Sequence, residues 1–530
     1  MLRGIMIGLV CAGLLSGCAI DRVKLAKVKN IILVIGDGMG PQQVGLLLSY
    51  ARQAPHGVLA DRKTAFDRLL KQGRVGIALT YADHTLVTDS AASASQLATG
   101  HFAGSEMIGL DRDGNPQATL LETAKRAGKA TGLVSDTRIT HATPAAFAAH
   151  QAHRSQENEI AEDLLNAEPD VMLSAGFSYW IPQQANDKAS ALFQQLRQLT
   201  ENSFIIESKR KDEKNLLERA QVKGYGLVFN KTQLQQAQGK VLGLFAPSEL
   251  QNGIIETQLK NSDQRTQPTL KEMSAKALEI LEQDEQGFFL MIEAGQIDWA
   301  SHRNDTGWLL HEMLRLNETL HHVLDWAAQR QDTLIIVTAD HETGGFGFSY
   351  SAADIPPPRR LPGKFFNDKL KFDPGFNYGN PAILDKLYAQ KRSYMAIFAE
   401  FDALPEKQRQ PAKLAELVNR YTEFKITETQ AAKILQQRTN PYYRPSHPVL
   451  GVKQVPKLEV NDAFFVYQQN NRENLLAQAV SASQQAVWAS GTHTSTPVYV
   501  FVNGPEPVKH AFPQILHHTQ LGQMLMELLK

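Results

Sequence analysis

Asn30-Ile31-Ile32-Leu33-Val34-Ile35-Gly36-Asp37-Gly38-Met39-Gly40-Pro41 opens with a continuous apolar run that ends in glycine. That is the pattern of a strand buried on both faces. Pro41 then starts a stretch with helical periodicity, as proline favours a first helical turn. Two chemistries compete for the glycine turn. A dinucleotide fingerprint would place glycines under a pyrophosphate, but Pro41 breaks the G-x-G-x-x-G spacing and Asp37 would repel phosphate. An acid at the C-terminal edge of a parallel strand is instead well placed to hold a metal ion.

Five further apolar runs read as strands: Ala130–Val134, Val171–Leu173, Phe288–Ile292, Thr333–Val337 and Pro497–Val502. Helical patterns lie between and beside them at Pro41–Arg52, Ala118–Ala127, Ser274–Leu281, Trp308–Gln329 and Gln520–Lys530. This alternation predicts an α/β fold, a large, mostly parallel sheet sandwiched between helices. Residues 30–345 and 484–530 form the catalytic domain in this reading. Residues 346–483 are rich in proline turns and read as an insertion, crown- or lid-like. Two helices are expected inside it, near 382–403 and 427–438, the second opened by a Thr427/Gln430 capping box.

Lys+Arg and Asp+Glu are both 55, so the formal net charge is zero, which argues against nucleic-acid binding as a bulk property. With only Cys11 and Cys18, a disulfide-stapled fold is excluded. Arg3 precedes an apolar stretch from Ile5 to Leu15, the pattern of a secretory signal. Leu15-Ser16-Gly17-Cys18 resembles a bacterial lipobox. Residues 1–17 are then a lipoprotein signal peptide, Cys18 is the lipidation site and 18–29 form a tether. The expected location is the bacterial cell envelope, anchored to the membrane by lipid. Ala19 favours the outer membrane, facing the periplasm or the surface.

The chemistry gathers at strand ends. Phe288–Ile292 runs into Glu293, with Asp298 and His302 downstream; Thr333–Val337 leads to Asp340-His341; His493 lies in Gly491-Thr492-His493-Thr494. Carboxylates with neutral imidazoles suit Zn²⁺, and carboxylates with a hydroxyl suit Mg²⁺. Ser90, in Val87-Thr88-Asp89-Ser90-Ala91, stands at the start of a small-residue helix, where free N–H groups favour an anion. A plain N-cap is the structural alternative for that serine. Neither H-E-x-x-H nor G-x-S-x-G occurs, which disfavours a zincin protease and Ser-His-Asp acyl transfer. Thr143 offers a hydroxyl ligand, and Arg154 a planar fork for phosphate oxygens.

In order along the chain, Asn30–Gly40, Val87–Gly100, Ser135–His150 with Arg154, Phe288–His302, Thr333–Gly345 and Gly491–His493 resemble the alkaline phosphatases. The resemblance implies hydrolysis of phosphate monoesters, with Ser90 as a nucleophile forming a covalent phosphoserine and Arg154 as a phosphate clamp. It implies two Zn²⁺ ions, one held by Asp298, His302 and His493, the other by Asp37, Asp340 and His341. It also implies one Mg²⁺ held by Asp37, Thr143 and Glu293, and leaves a homodimer as an assembly to test.

Two positions depart from the best-known enterobacterial pattern. His141 replaces an aspartate at the third metal site, and Trp299 replaces a lysine. Loss of that negative charge predicts loose Mg²⁺, with Zn²⁺ or Co²⁺ as competitors, and Trp299 is expected to hold a water or pack on His141. Two other readings stand beside the monoesterase. One is a phosphodiesterase or sulfatase-type relative; the other is a non-catalytic lipoprotein that binds metal or phosphate.

Overall fold

The computed structural model describes residues 28–530; the signal peptide, Cys18 and most of the tether lie outside them. Ten strands form one sheet. In chain order they are β1 (Asn30–Gly36), β2 (Arg74–Leu79), β3 (Ala130–Arg138), β4 (Val171–Ala175), β5 (Gly226–Val228), β6 (Val241–Leu244), β7 (Phe288–Ala294), β8 (Thr333–Thr338), β9 (Val498–Asn503) and β10 (Ile515–His517). Their spatial order is β10-β2-β9-β8-β1-β7-β3-β4-β6-β5. Only β9 runs against its neighbours, pairing antiparallel with β2 and β8. Every residue of β1, β7 and β8 is buried, as strands covered by helices on both faces require.

The quoted stretch sits at the centre of the sheet. Ile35 pairs with Glu293 of β7 on one side and Thr338 of β8 on the other. That register brings Asp37, Glu293 and Asp340 to one edge. Helix α1 (Pro41–Gln53) then leaves the turn with Pro41 in its first turn and buries Val44, Leu47 and Ala51 along one stripe.

The insertion differs in detail from the sequence expectation. The helix expected over 382–403 is two, Ala382–Tyr388 and Tyr394–Asp402. Ser393 caps the second, and Gln390 in the break donates to Asp305 Oδ1 at 2.8 Å. Asp305, 85 residues away, thus takes the place of helical continuity at the break. The Thr427/Gln430 capping box is present, opening Glu428–Ile434. Helices Pro411–Tyr421 and Asn471–Gln484 were not foreseen. The first turn of Asn471–Gln484 reaches the sheet edge, where Asn474 Nδ2 donates to the His302 carbonyl at 2.8 Å.

A buried ionic hub braces that edge. Arg315, on helix Thr306–Ala327, bonds Asp136 Oδ2 and Glu312 Oε2 at 3.0 Å each and reaches Glu256 at 2.9 Å. Asp136 in turn accepts from the Gly295 N–H at 2.7 Å, and its carbonyl accepts from Gln296. The turn after β7 is therefore tied to a guanidinium. Burial raises the carboxyl pKa of Asp136, Glu256 and Glu312 against the pull of Arg315.

Arg315→Met leaves three buried carboxyls without their cation, so it is expected to destabilise the fold by ~3–5 kcal/mol at pH 8. Carboxyl groups with raised folded-state pKa values bind more protons folded than unfolded, so their penalty grows with pH. The deficit of the variant should shrink as pH falls toward 5. Urea unfolding of both proteins at the two pH values checks this; a deficit independent of pH would refute the ionic origin.

Candidate metal centre

Among the described residues, three groups of ligand-type side chains meet at the sheet edge: Asp298/His302/His493, with both histidines half-buried, and the fully buried Asp37/Asp340/His341 and Asp37/His141/Glu293. Local structure supplies each one. Asp298 and His302 are one turn apart on helix Gln296–His302, directly after β7. Asp340 and His341 follow β8, where Asp340 Oδ1 accepts from the Gly38 and His341 N–H groups at 3.1 and 2.9 Å. His493 arrives on a short antiparallel pair, His493–Thr494 against Glu342–Thr343.

The hydrogen bonds around the imidazoles settle which nitrogen is free. His302 Nδ1 lies 2.8 Å from the Gly491 carbonyl, and His493 Nδ1 lies 2.9 Å from the Thr88 carbonyl. Each carbonyl can only accept, so each Nδ1 carries the proton and each Nε2 keeps a lone pair. Those two Nε2 atoms face each other at 3.1 Å, with Asp298 Oδ2 3.2 Å from His302. Two lone pairs and a carboxylate at such range are repulsive unless a cation lies among them. At His341, Thr343 Oγ1 donates to Asp298 Oδ1 at 2.5 Å and so accepts from Nδ1 at 3.2 Å. The Nε2 lone pair then points at Asp340 Oδ2, Asp37 Oδ1 and Ser90 Oγ, at 3.1, 3.5 and 3.2 Å.

Orphaned atoms mark the two groups that share Asp37. Asp37 Oδ1, Asp340 Oδ2, His141 Nδ1 and Glu293 Oε1 are buried and lack a hydrogen-bond partner. Such atoms are rare inside proteins unless a cation or water satisfies them. The electrostatics agree. Burial and the neighbouring Asp340, Asp298 and Glu293 carboxylates push Asp37 far above the usual range. Burial raises Glu293 to about 8 against hydrogen bonds from Ser135 and Thr137. Burial lowers His493 to about 3, keeping it neutral and able to ligate. These oxygen and nitrogen donors fit divalent cations.

The third group has a particular constraint. Thr143 Oγ1 lies 3.3 Å from Asp37 Oδ2, and Glu293 Oε2 is braced by Ser135 and Thr137. His141 Nδ1 lies 4.0 Å from Glu293 Oε1, while its Nε2 sits 3.1 Å from Arg154 Nη2. Arg154 can only donate, so Nε2 accepts and Nδ1 holds the proton. A cation on Nδ1 moves that proton to Nε2 and removes the acceptor from Arg154. Cation ligation by His141 and the Arg154 contact therefore exclude each other. Trp299 packs edge-on against His141, 5.9 Å between ring centres.

Ser90 is the first residue of helix Ser90–Thr99, as the sequence suggests, but it is not the cap. Asp89 is, accepting from the Ala91 and Ala92 N–H groups. Ser90 Oγ is thus free of capping duty and only 2% of the residue is exposed. Asp89 Oδ2 also accepts from Arg154 Nη1 at 3.2 Å. Every site residue expected within 28–530 is gathered here. Sequence reasoning missed Asp89, Ser135, Thr137 and Thr343, the groups that hold the ligands; an Asp directly before a helix-opening Ser was the one available signal.

Comparison with known proteins gives the context. The alkaline phosphatase family model matches residues 28–530, running through the insertion. The chain is 36% identical over 366 residues to alkaline phosphatase 3 of Bacillus subtilis, covering 65% of this chain and 68% of that protein. It is 31% identical over 389 residues to the alkaline phosphatase of Escherichia coli, covering 65% and 74%. Among solved structures it is similar to the alkaline phosphatase of Thermus thermophilus, with TM-score 0.72 and 25% identity over 94% of this chain and 90% of that one. The cold-active enzyme of a psychrophilic Shewanella sp. gives TM-score 0.65 and 26% identity over 94% and 100%.

Proposed function

Because the chain belongs to the alkaline phosphatase family, we propose that its cleft hydrolyses phosphate monoesters to an alcohol and inorganic phosphate through a phosphoserine at Ser90. The observation that carries this reading is Ser90 itself: a buried hydroxyl at a helix N-terminus, released from capping by Asp89, 3.2 Å from His341 Nε2. The ligand groups suit two Zn²⁺ ions at Asp298/His302/His493 and Asp37/Asp340/His341, and Mg²⁺ at Asp37, Thr143 and Glu293, where Asp37, Asp340 and Glu293 each keep a buried oxygen without a partner. When bound, these cations supply charge neutralisation to the phosphate and to the attacking and leaving oxygens.

The protein's own groups position the rest. Ser90 stands in the first turn of its helix, where the positive end of the helix dipole favours an incoming dianion. Ser90 Oγ forms the bond to phosphorus as the bond to the alcohol oxygen breaks. Water then cleaves the Oγ–P bond, returning the serine and releasing phosphate. Arg154 offers two N–H groups to the non-bridging oxygens once it leaves His141. A third cation-type group beside an arginine fork suits a dianionic monoester better than a monoanionic diester or sulfate ester. We also propose that the enzyme is held in the cell envelope by lipid on Cys18, on the strength of the lipobox pattern alone.

Ser90→Ala is expected to keep its metal content while losing at least ~10³-fold in turnover. Radiolabelled phosphate trapped at mildly acidic pH should sit on Ser90; label on another residue would sink the nucleophile assignment.

His141→Asp restores a hard anionic donor and removes the acceptor that holds Arg154. Mg²⁺ activation of metal-depleted protein should then reach its midpoint at roughly tenfold lower concentration. Equal midpoints would mean that His141 does not control the third group.

Cys18→Ser should abolish incorporation of a clickable fatty acid and shift the protein out of the membrane fraction. Labelling equal to wild type would exclude the lipobox reading.

A further inference from the structure

The catalytic cleft has a volume of about 480 Å³, far more than one phosphate needs and within the range of small-molecule sites. Part of its wall comes from the insertion, through Met395, Tyr467 and Asn470, with Trp299 among the facing residues. Tyr467 lies just before helix Asn471–Gln484, with its ring edge-on to His302, 4.7 Å between centres at 72°.

The ring is held there. Asn474 Nδ2 donates to the His302 carbonyl at 2.8 Å, and the Gly491 N–H donates to the Phe464 carbonyl at 3.1 Å. Asn471 Nδ2 closes the same turn on the Phe465 carbonyl at 2.8 Å. These bonds tie the segment around Tyr467 to the backbone that also orients His302 and His493. Tyr467 nevertheless stays 38% exposed, facing the cleft.

Arg154 and His141 lie with the phosphate end of the cleft, next to Ser90. Ser90 Oγ, the attacking oxygen, sits against His341 in the Asp37/Asp340/His341 group, so the Asp298/His302/His493 group, whose His302 Tyr467 touches, is the one left to face the departing alcohol. We propose that Tyr467, with Met395 and Trp299 nearby, is a specificity-determining residue that stacks on a flat aromatic group carried by the alcohol, making aromatic phosphomonoesters the preferred substrate class. This rests on the monoesterase reading above and adds the identity of the alcohol to it. Glycerol-type esters offer no ring and gain nothing from the contact.

The test compares phenyl phosphate with glycerol 2-phosphate in wild type, Tyr467→Ala and Tyr467→Phe. Tyr467→Ala should lower kcat/KM for phenyl phosphate about tenfold, mainly through KM, while glycerol 2-phosphate and inhibition by inorganic phosphate move less than about twofold. Tyr467→Phe should match wild type. Equal losses on both esters would show that Tyr467 only supports His302, and no loss on either would show that it touches no substrate; both outcomes overturn the proposal. If the alanine variant does not fold, competitive inhibition of wild type by phenylphosphonate and methylphosphonate decides the point. A preference of at least about fivefold for the phenyl compound is expected, and equal inhibition refutes it. If wild type hydrolyses neither ester, the monoesterase reading has failed, and binding of the two phosphonates still judges Tyr467 by itself.

Discussion

Repulsion between like charges at one sheet edge is the constraint on which the rest of this structure depends. Asp37, Glu293, Asp298 and Asp340 are all buried and converge within reach of one another's charge. Left alone they would drive the strand ends apart or take up protons. The fold holds them through donors that spend themselves on one oxygen and leave another bare: Ser135 and Thr137 on Glu293, Thr343 on Asp298, backbone N–H groups on Asp340. The imidazoles of His302, His341 and His493 follow the same rule, their Nδ1 protons engaged by carbonyls or a hydroxyl and their Nε2 lone pairs turned inward, whereas His141 turns its Nε2 to Arg154. A concentration of bare lone pairs in low dielectric has one stable complement, which is divalent charge.

Support for this arrangement extends well beyond the ligands. The Arg315 hub fixes the turn after β7 through Asp136, so a second ionic cluster, deep in the core, sets where Glu293 and Asp298 stand. The insertion is equally involved. Asn474 grips the His302 carbonyl and the Asn304 side chain, which makes this region part of the centre's scaffold as well as its wall. A segment that reads as an optional lid is here wired to the ligands.

What could be read in advance follows from how local each feature is. The apolar runs of β1, β3, β7 and β8 announce a parallel sheet because burial on both faces removes polar residues from them. The ligands are legible because each follows such a run directly, as Asp37 follows Gly36. Strands β5 and β10, three residues each, carry too little pattern to be seen. The break at 389–393 depends on Asp305, distant in sequence, and no window around it reveals the partner. Asp89 illustrates the boundary: its capping role is local and readable, whereas its contact with Arg154 spans 65 residues and is visible only in three dimensions.

The distances along the chain between partners carry a consequence for how the protein matures. His302 and His493 are 191 residues apart, and Gly38 and Asp340 are 302 apart. During synthesis His493 emerges late, after helix Ser90–Thr99 and eight of the ten strands of the sheet, with only β9 and β10 still to follow. The Asp298/His302/His493 group cannot be complete before that point, whereas the two groups that share Asp37 need no residue beyond His341. Once in place, a cation clasps very long loops, and because closure entropy grows with loop length, it removes more chain entropy than a short-range cross-link would.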